Sequence, residues 1–179
     1  MEKIEQKYTN RSVTHPVTQD PGITDQHGRS FNYLRIAVNE KCNLRCIYCM
    51  PEKGISFEPQ DKLLTRKEVI RVIQVVAKLG VNKIRFTGGE PLLRKDLVEL
   101  VSGAAETPGI DSINLTTNGI LLANSAKSLK DGGLTGVNVS IDTLEKQKYT
   151  EITRRDYIDK AFIGLEAAKG VGIPSIKVN

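Results

Sequence analysis

An α/β protein organised around a parallel sheet is what this sequence predicts, on three observations. Short runs of alternating apolar residues recur along the chain. Each run is followed by a segment whose apolar residues repeat at helical spacing. The residues richest in chemistry fall just past the predicted strands, where sheets of this kind gather their sites. Four βα units and the start of a fifth strand can be traced. Successive right-handed βαβ units build either a doubly wound sheet or part of a (βα) barrel.

Residues 1–28 are polar, carry Pro16, Pro21, Gly22 and Gly28, and show no period. They are expected to be a flexible lead-in, with the folded domain spanning 29–179. YLRIAV (33–38) alternates, with Leu34, Ile36 and Val38 on one face, and predicts the first strand. In TRKEVIRVIQVVAKLG (65–80), Thr65 and Glu68 form a capping box, and Val69, Val72, Ile73, Val76 and Leu79 form a helical stripe that Gly80 stops. The pattern then recurs: strand 82–87, loop GGEP (88–91), helix 95–106; strand 112–117, turn Asn118-Gly119, helix 124–132. Strand 136–142 precedes two helical patches, 145–153 and 157–170, and SIKVN (175–179) opens the fifth strand.

The bulk numbers narrow the function classes. A chain of 179 residues, 39% apolar and 26% charged, suits one globular domain with a real core. Its apolar runs are too short to cross a bilayer, so no membrane partner is expected. The net charge of +5 favours anionic partners such as nucleotides, and equally reads as solubility. The polar N-terminus MEKIEQKYTN has no signal-peptide core, and Glu2, Glu5 and Asp20 count against a transit peptide. A reducing compartment is expected, the cytoplasm or, in a eukaryote, the mitochondrial matrix.

All three cysteines lie in KCNLRCIYCMPEKG (41–54), at C-x3-C-x2-C spacing. An odd number of clustered thiols does not suit a disulfide framework. A structural zinc site would need a fourth ligand, and the two histidines, His15 and His27, lie in the polar lead-in. A nucleophilic thiol needs a base, and no His is nearby in sequence. The remaining reading is a 4Fe–4S cluster, normally held by four thiolates, with one iron left open. Lys41 and Arg45 would offset part of its negative charge.

The spacing C-x3-C-x-Y-C, with Tyr48 before the last Cys, resembles the signature of the radical S-adenosylmethionine (SAM) enzymes, and GGEP strengthens the resemblance. Consecutive blocks over about residues 27–179 are similar to the MoaA family of GTP 3′,8-cyclases, which opens molybdenum-cofactor biosynthesis: HGRSFNYLRIAVNEKCNLRCIYCMPEKG, LLTRKEVIRV, LGVNKIRFTGGEPLLRKDL, LTTNG, NVSIDTL and ITRRD. The resemblance implies an incomplete parallel (βα) barrel of the radical SAM type. It implies Cys42, Cys46 and Cys49 as cluster ligands, with the open iron holding SAM. Tyr48 would set its backbone against SAM, Gly89 would approach the SAM amino group without a side chain in the way, and Ser140 would contact the SAM ribose or carboxylate. GTP contacts fall on Arg35, Arg85, Thr116 and Lys177. The implied reaction converts GTP to 3′,8-cyclo-7,8-dihydro-GTP, by removal of a C3′ hydrogen and closure onto C8 of the guanine.

Arg35, Arg85 and Lys177 can also be weighed on their own. Each sits inside a predicted strand, where burying an unpaired charge is expensive. On an ordinary half-exposed sheet they would be solvated side chains. Inside a barrel, a polar interior face is a site, and cations on neighbouring strands could grip a triphosphate. Lesser candidates are Glu90, Asn118, Asp142 and the cluster Arg154, Arg155 and Asp156, each with a plain reading as a local or solvated group.

Complete enzymes of the resembled family are longer, with a further strand and helix and a C-terminal region whose second cysteine triplet holds a guanine-binding cluster. None of that is in these 179 residues, so a fragment, partial gene model or truncated isoform is expected, inactive by itself. The implied partners are GTP, an electron donor, the downstream cyclic pyranopterin synthase pathway and, at full length, a second copy. Alternatives are another radical SAM enzyme, or a non-catalytic remnant that binds SAM or a partner. A zinc-binding nucleic-acid module ranks last, because five Tyr, four Phe and no Trp give few stacking platforms.

Overall fold

Five parallel strands lie side by side in the order in which the chain makes them. A computed structural model describes residues 22–59 and 62–179. A small antiparallel hairpin, β1 (Ile23–Thr24) and β2 (Ser30–Phe31), leads into β3 (Tyr33–Ala37). Then follow α1 (Arg66–Lys78), β4 (Lys83–Thr87), α2 (Leu97–Ala105), β5 (Ser112–Thr117), α3 (Leu122–Asp131), β6 (Gly136–Val139), α4 (Lys146–Thr153), α5 (Ile158–Gly170) and β7 (Ser175–Val178).

The order β3-β4-β5-β6-β7 settles the choice the sequence left open. A doubly wound sheet reverses its strand order and places helices on both faces; an unreversed order of right-handed crossovers keeps all helices on one side. The helices accordingly form a single layer, α1 against α2, α2 against α3, α3 against α5 and α5 against α4. This is the wall of a (βα) barrel that is not closed between β3 and β7.

Local chemistry explains the elements. Thr65 and Glu68 make the expected reciprocal cap of α1: the Glu68 N–H donates to the Thr65 hydroxyl and the Thr65 N–H to the Glu68 carboxylate at 2.7 Å. Gly80 follows with a φ of 91°. Helix α2 starts two residues later than expected, at Leu97, because Pro91–Leu93 forms a separate 3₁₀ turn and Arg94 pairs with Asp96. Strand β6 ends at Val139 rather than 142.

The expected lead-in needs correction at its end. Residues 22–28 belong to the hairpin: the Asp25 carboxylate accepts from the N–H groups of His27 and Arg29 at 2.9 and 3.0 Å and from Arg29 Nε at 2.7 Å. The Ile23 N–H donates to the Leu79 carbonyl at 3.2 Å, tying the hairpin to the end of α1. Residues 1–21 lie outside the described residues. No helix among the described residues is long and apolar enough to cross a membrane.

The strands give the sheet two opposite faces. Toward the helices point Ile84 and Phe86, Ile113 and Leu115, Val137 and Val139, all buried with Ile73, Leu100, Leu122, Leu129 and Ile158 from the helical layer. The residues between them are mostly polar: Arg35; Lys83, Arg85 and Thr87; Ser112, Asn114 and Thr116; Asn138; Ser175 and Lys177, with Tyr33, Ala37 and Gly136 as the exceptions.

Candidate functional site

Because the strands are parallel, all five C-terminal ends meet at one rim, and the loops beyond them carry the candidate chemistry. The cysteine loop leaves β3 and is pinned to the last turn of α4. The Arg45 and Ile47 N–H groups donate to the Thr153 and Ile152 carbonyls at 3.0 and 2.9 Å. Arg154, held at a φ of 56°, reaches back with one guanidinium nitrogen to the Arg45 and Met50 carbonyls at 3.0 and 3.1 Å. Between these ties Cys46 to Met50 forms a turn, the Cys49 and Met50 N–H groups both donating to the Cys46 carbonyl.

All three thiols are free, Cys42 and Cys46 half-buried and Cys49 exposed. The Leu44 N–H points at Cys42 Sγ from 3.4 Å, as a donor to a thiolate would. Burial pushes the Cys42 and Cys46 thiols up, opposed by that N–H at Cys42 and by a Tyr48 hydrogen bond at Cys46. Among the described residues no three His, Cys, Asp or Glu side chains converge as ligands of one ion. Three unpaired thiols on one anchored loop are the donor type that an iron–sulfur cluster takes. Arg45 bears its charge beside Cys42, opposing the rise of that thiol, and its guanidinium also donates to the Cys42 and Leu44 carbonyls at 2.7 and 2.8 Å, bracing the loop from inside.

The GGEP corner is built around Glu90, which is 1% exposed. Its carboxylate accepts from the Leu92 N–H at 3.0 Å, the Thr117 hydroxyl at 2.8 Å and the Asn118 N–H at 2.8 Å. Burial raises its pKa and these donors lower it. Glu90 thus joins the ends of β4 and β5, and the local reading of this residue holds. Asn118 extends the connection, its amide donating to Asn43 Oδ1 in the cysteine loop at 2.7 Å. The chain itself leaves Gly89 no room for a side chain: a Cβ there would collide with the Glu40 and Lys41 carbonyls. Its N–H donates to Asn39 O at 3.0 Å, and the Glu90 N–H to Lys41 O at 2.7 Å, locking corner and loop together.

On the open face, Arg35 and Arg85 are in register on neighbouring strands, and Thr116, Asn138 and Lys177 form a second row. Arg85 donates to the Thr116 hydroxyl at 3.2 Å and lies 5.9 Å from the Tyr33 ring centroid. None of Arg35, Arg85 and Lys177 forms an ion pair with a carboxylate among the described residues. Like charges placed opposite each other repel, and an anion lying across them relieves that. Ser140 is exposed just beyond β6, its N–H donating to Thr117 O at 2.9 Å. Tyr48, also exposed, gives its hydroxyl to Asp142 at 2.9 Å, linking the cysteine loop to the loop after β6.

The structure thus gathers the predicted residues on one rim and one face. Arg155 and Asp156 stay at the surface, Asp156 beside Lys146 at 3.4 Å. Sequence reasoning gave Arg154 and Asn43 no role at the loop, because each acts across a sequence distance that no local period records.

The comparisons agree with this geometry. Residues 36–179 match the model of the radical SAM superfamily, and the chain belongs to that superfamily. A GTP 3′,8-cyclase of Pelotomaculum thermopropionicum is 49% identical over 157 residues, 88% of this chain and 48% of its own length. Its counterpart in Listeria monocytogenes is 45% identical over 157 residues, 88% of this chain and 47% of its own. The molybdenum cofactor biosynthesis protein moc-5 of Caenorhabditis elegans is 44% identical over 169 residues, 94% of this chain and 28% of its own. The chain therefore spans about half or less of the length of these curated relatives. Among solved structures, Streptococcus suis SuiB matches 83% of this chain, and 32% of its own, at a TM-score of 0.67 and 21% identity. HydG, a maturase of the [FeFe]-hydrogenase, matches 82% of this chain, and 34% of its own, at 0.66 and 21%. At that identity the likeness speaks to the fold.

Proposed function

We propose that this radical SAM chain forms the part of a GTP 3′,8-cyclase that holds the 4Fe–4S cluster, SAM and the triphosphate of GTP. The observation that carries the reading is one of placement: a loop of three free thiols stands at the rim of a sheet whose face away from the helices presents cations with no ion-pair partner among the described residues.

Cys42, Cys46 and Cys49 would hold the cluster. When bound, cluster and SAM supply one-electron and radical chemistry, which belongs to the cofactors. The chain's own residues bind and orient. Tyr48 by its backbone, Gly89 at the GGEP corner and Ser140 by its exposed hydroxyl line the rim where SAM would lie. Arg35 and Arg85 offer forked donors to phosphate oxygens, and Lys177 offers a point charge on the far strand. Thr116 holds Arg85 in place at 3.2 Å. Binding the ribose and base in one conformer supplies much of the rate advantage in a ring closure. The product suits the first step of molybdenum-cofactor biosynthesis.

Anaerobic reconstitution with iron and sulfide tests this. The expected result is a brown chain with about four irons, whose EPR spectrum changes on adding SAM. GTP should bind to it, and Arg85→Ala should weaken that binding roughly tenfold or more, the worth of a charge-assisted hydrogen bond. A colourless chain that takes up zinc instead overturns the reading.

A further inference from the structure

Tyr149 is 1% exposed, and its hydroxyl is the one buried side-chain hydroxyl among the described residues without a hydrogen-bond partner. Such a group carries a free-energy cost that native structures rarely leave standing. Its ring belongs to the core, so the side chain cannot swing out to water.

The helix that carries it is the one stitched to the cysteine loop. Tyr149 is one turn before Thr153, whose hydroxyl donates to the Tyr149 carbonyl at 2.7 Å. The carbonyls of Ile152 and Thr153 in turn hold the N–H groups of Ile47 and Arg45, on either side of Cys46. Burial first, then the nearby Cys46, Asp142 and Cys42, push the phenol up to about 12, so it keeps its proton. Beside the hydroxyl stand the Cys46 and Cys42 sulfurs and the Asp142 carboxylate, which already takes the Tyr48 hydroxyl on one oxygen at 2.9 Å.

We propose that the Tyr149 hydroxyl donates a hydrogen bond to a thiolate or sulfide sulfur of the cluster, and so sets the cluster's reduction potential. This rests on the cluster reading above. A donor on sulfur stabilises the more electron-rich, reduced form, and hydrogen bonds to sulfur are among the levers that tune such potentials. Tyr149 is a tuning residue, acting through the cluster and touching no substrate.

The test compares wild type and Tyr149→Phe, both reconstituted anaerobically. If wild type takes up no cluster, the cluster reading itself fails. If it does, Tyr149→Phe is expected to load the same iron and to be reduced about tenfold less favourably, which for one electron is about 59 mV more negative. The reduced wild type should also show a deuterium-exchangeable proton coupling by ENDOR that the variant lacks. Without the cluster, the variant should be at least as stable as wild type, since the ring stays and the orphaned hydroxyl goes. Equal potentials and equal proton couplings overturn the proposal. If the variant does not load, 3-fluorotyrosine inserted at position 149 keeps the hydroxyl, and the absence of a fluorine coupling to the reduced cluster overturns it instead.

Discussion

Arg85 and Phe86 are neighbours in β4, and the sheet uses them in opposite ways. Phe86 is fully buried against the helical layer, while Arg85 lies on the uncovered face with Arg35 beside it. The same division holds for Leu115 and Thr116 in β5 and for Val137 and Asn138 in β6. Apolar packing therefore resides on one face and charge on the other, one residue apart along each strand. The polar face can vary without touching what holds the sheet together.

Substitution should break the two faces unequally. Phe86→Ala is expected to cost about 3–5 kcal/mol, the range for removing a buried aromatic side chain. Arg85→Ala should cost less than about 1 kcal/mol, since it loses one part-buried hydrogen bond. Urea unfolding measures both, and similar losses would refute the division. Between these extremes lies the rim. Arg154→Gly removes the donor to the Arg45 and Met50 carbonyls while keeping a left-handed backbone unstrained. About 1–2 kcal/mol should be lost, at roughly 1 kcal/mol per hydrogen bond, with faster amide exchange confined to the cysteine loop.

The smallest effect is electrostatic. Arg94 donates through two nitrogens to the Asp96 carboxylate at 2.7 and 3.2 Å and holds its pKa below the ordinary 3.8. A carboxyl whose folded pKa is lowered adds stability that is present above the unfolded value and disappears as pH falls through the folded one. Wild type should thus lose less than about 1 kcal/mol below pH 3.8, because the Asp96 side chain is about a third exposed and partly screened. The stability difference between wild type and Asp96→Asn should shrink as pH falls through that window in thermal melts, while Asp25 and Glu68 titrate alike in both.

How far the sequence foretold all this depends on the distance over which each residue acts. The capping box of α1, the stop at Gly80 and the alternation in β5 are local, and the chain displays them openly. The sequence placed Arg35, Arg85 and Lys177 within strands but left their face open, and it took the unreversed strand order to show that none of the described helices covers them. The hairpin at 22–31 escaped because one Asp side chain makes its turn within a polar stretch. Asn118 with Asn43, Tyr48 with Asp142 and Arg154 with Met50 are separated by 75, 94 and 104 residues, and no pattern in the chain announces them. Gly89 was foreseen as a position needing no side chain, but the crowding comes from the chain itself.

The row order of the sheet has a further consequence. Arg35 stands on β3 and Lys177 on β7, four strand spacings apart. At about 4.8 Å per spacing that is about 19 Å along the sheet, more than either side chain can cover alone. For the triphosphate proposed above, the bend of the wall would decide whether one molecule touches both ends. Curvature would then act as a ruler for that ligand, set by helices packed on the opposite face.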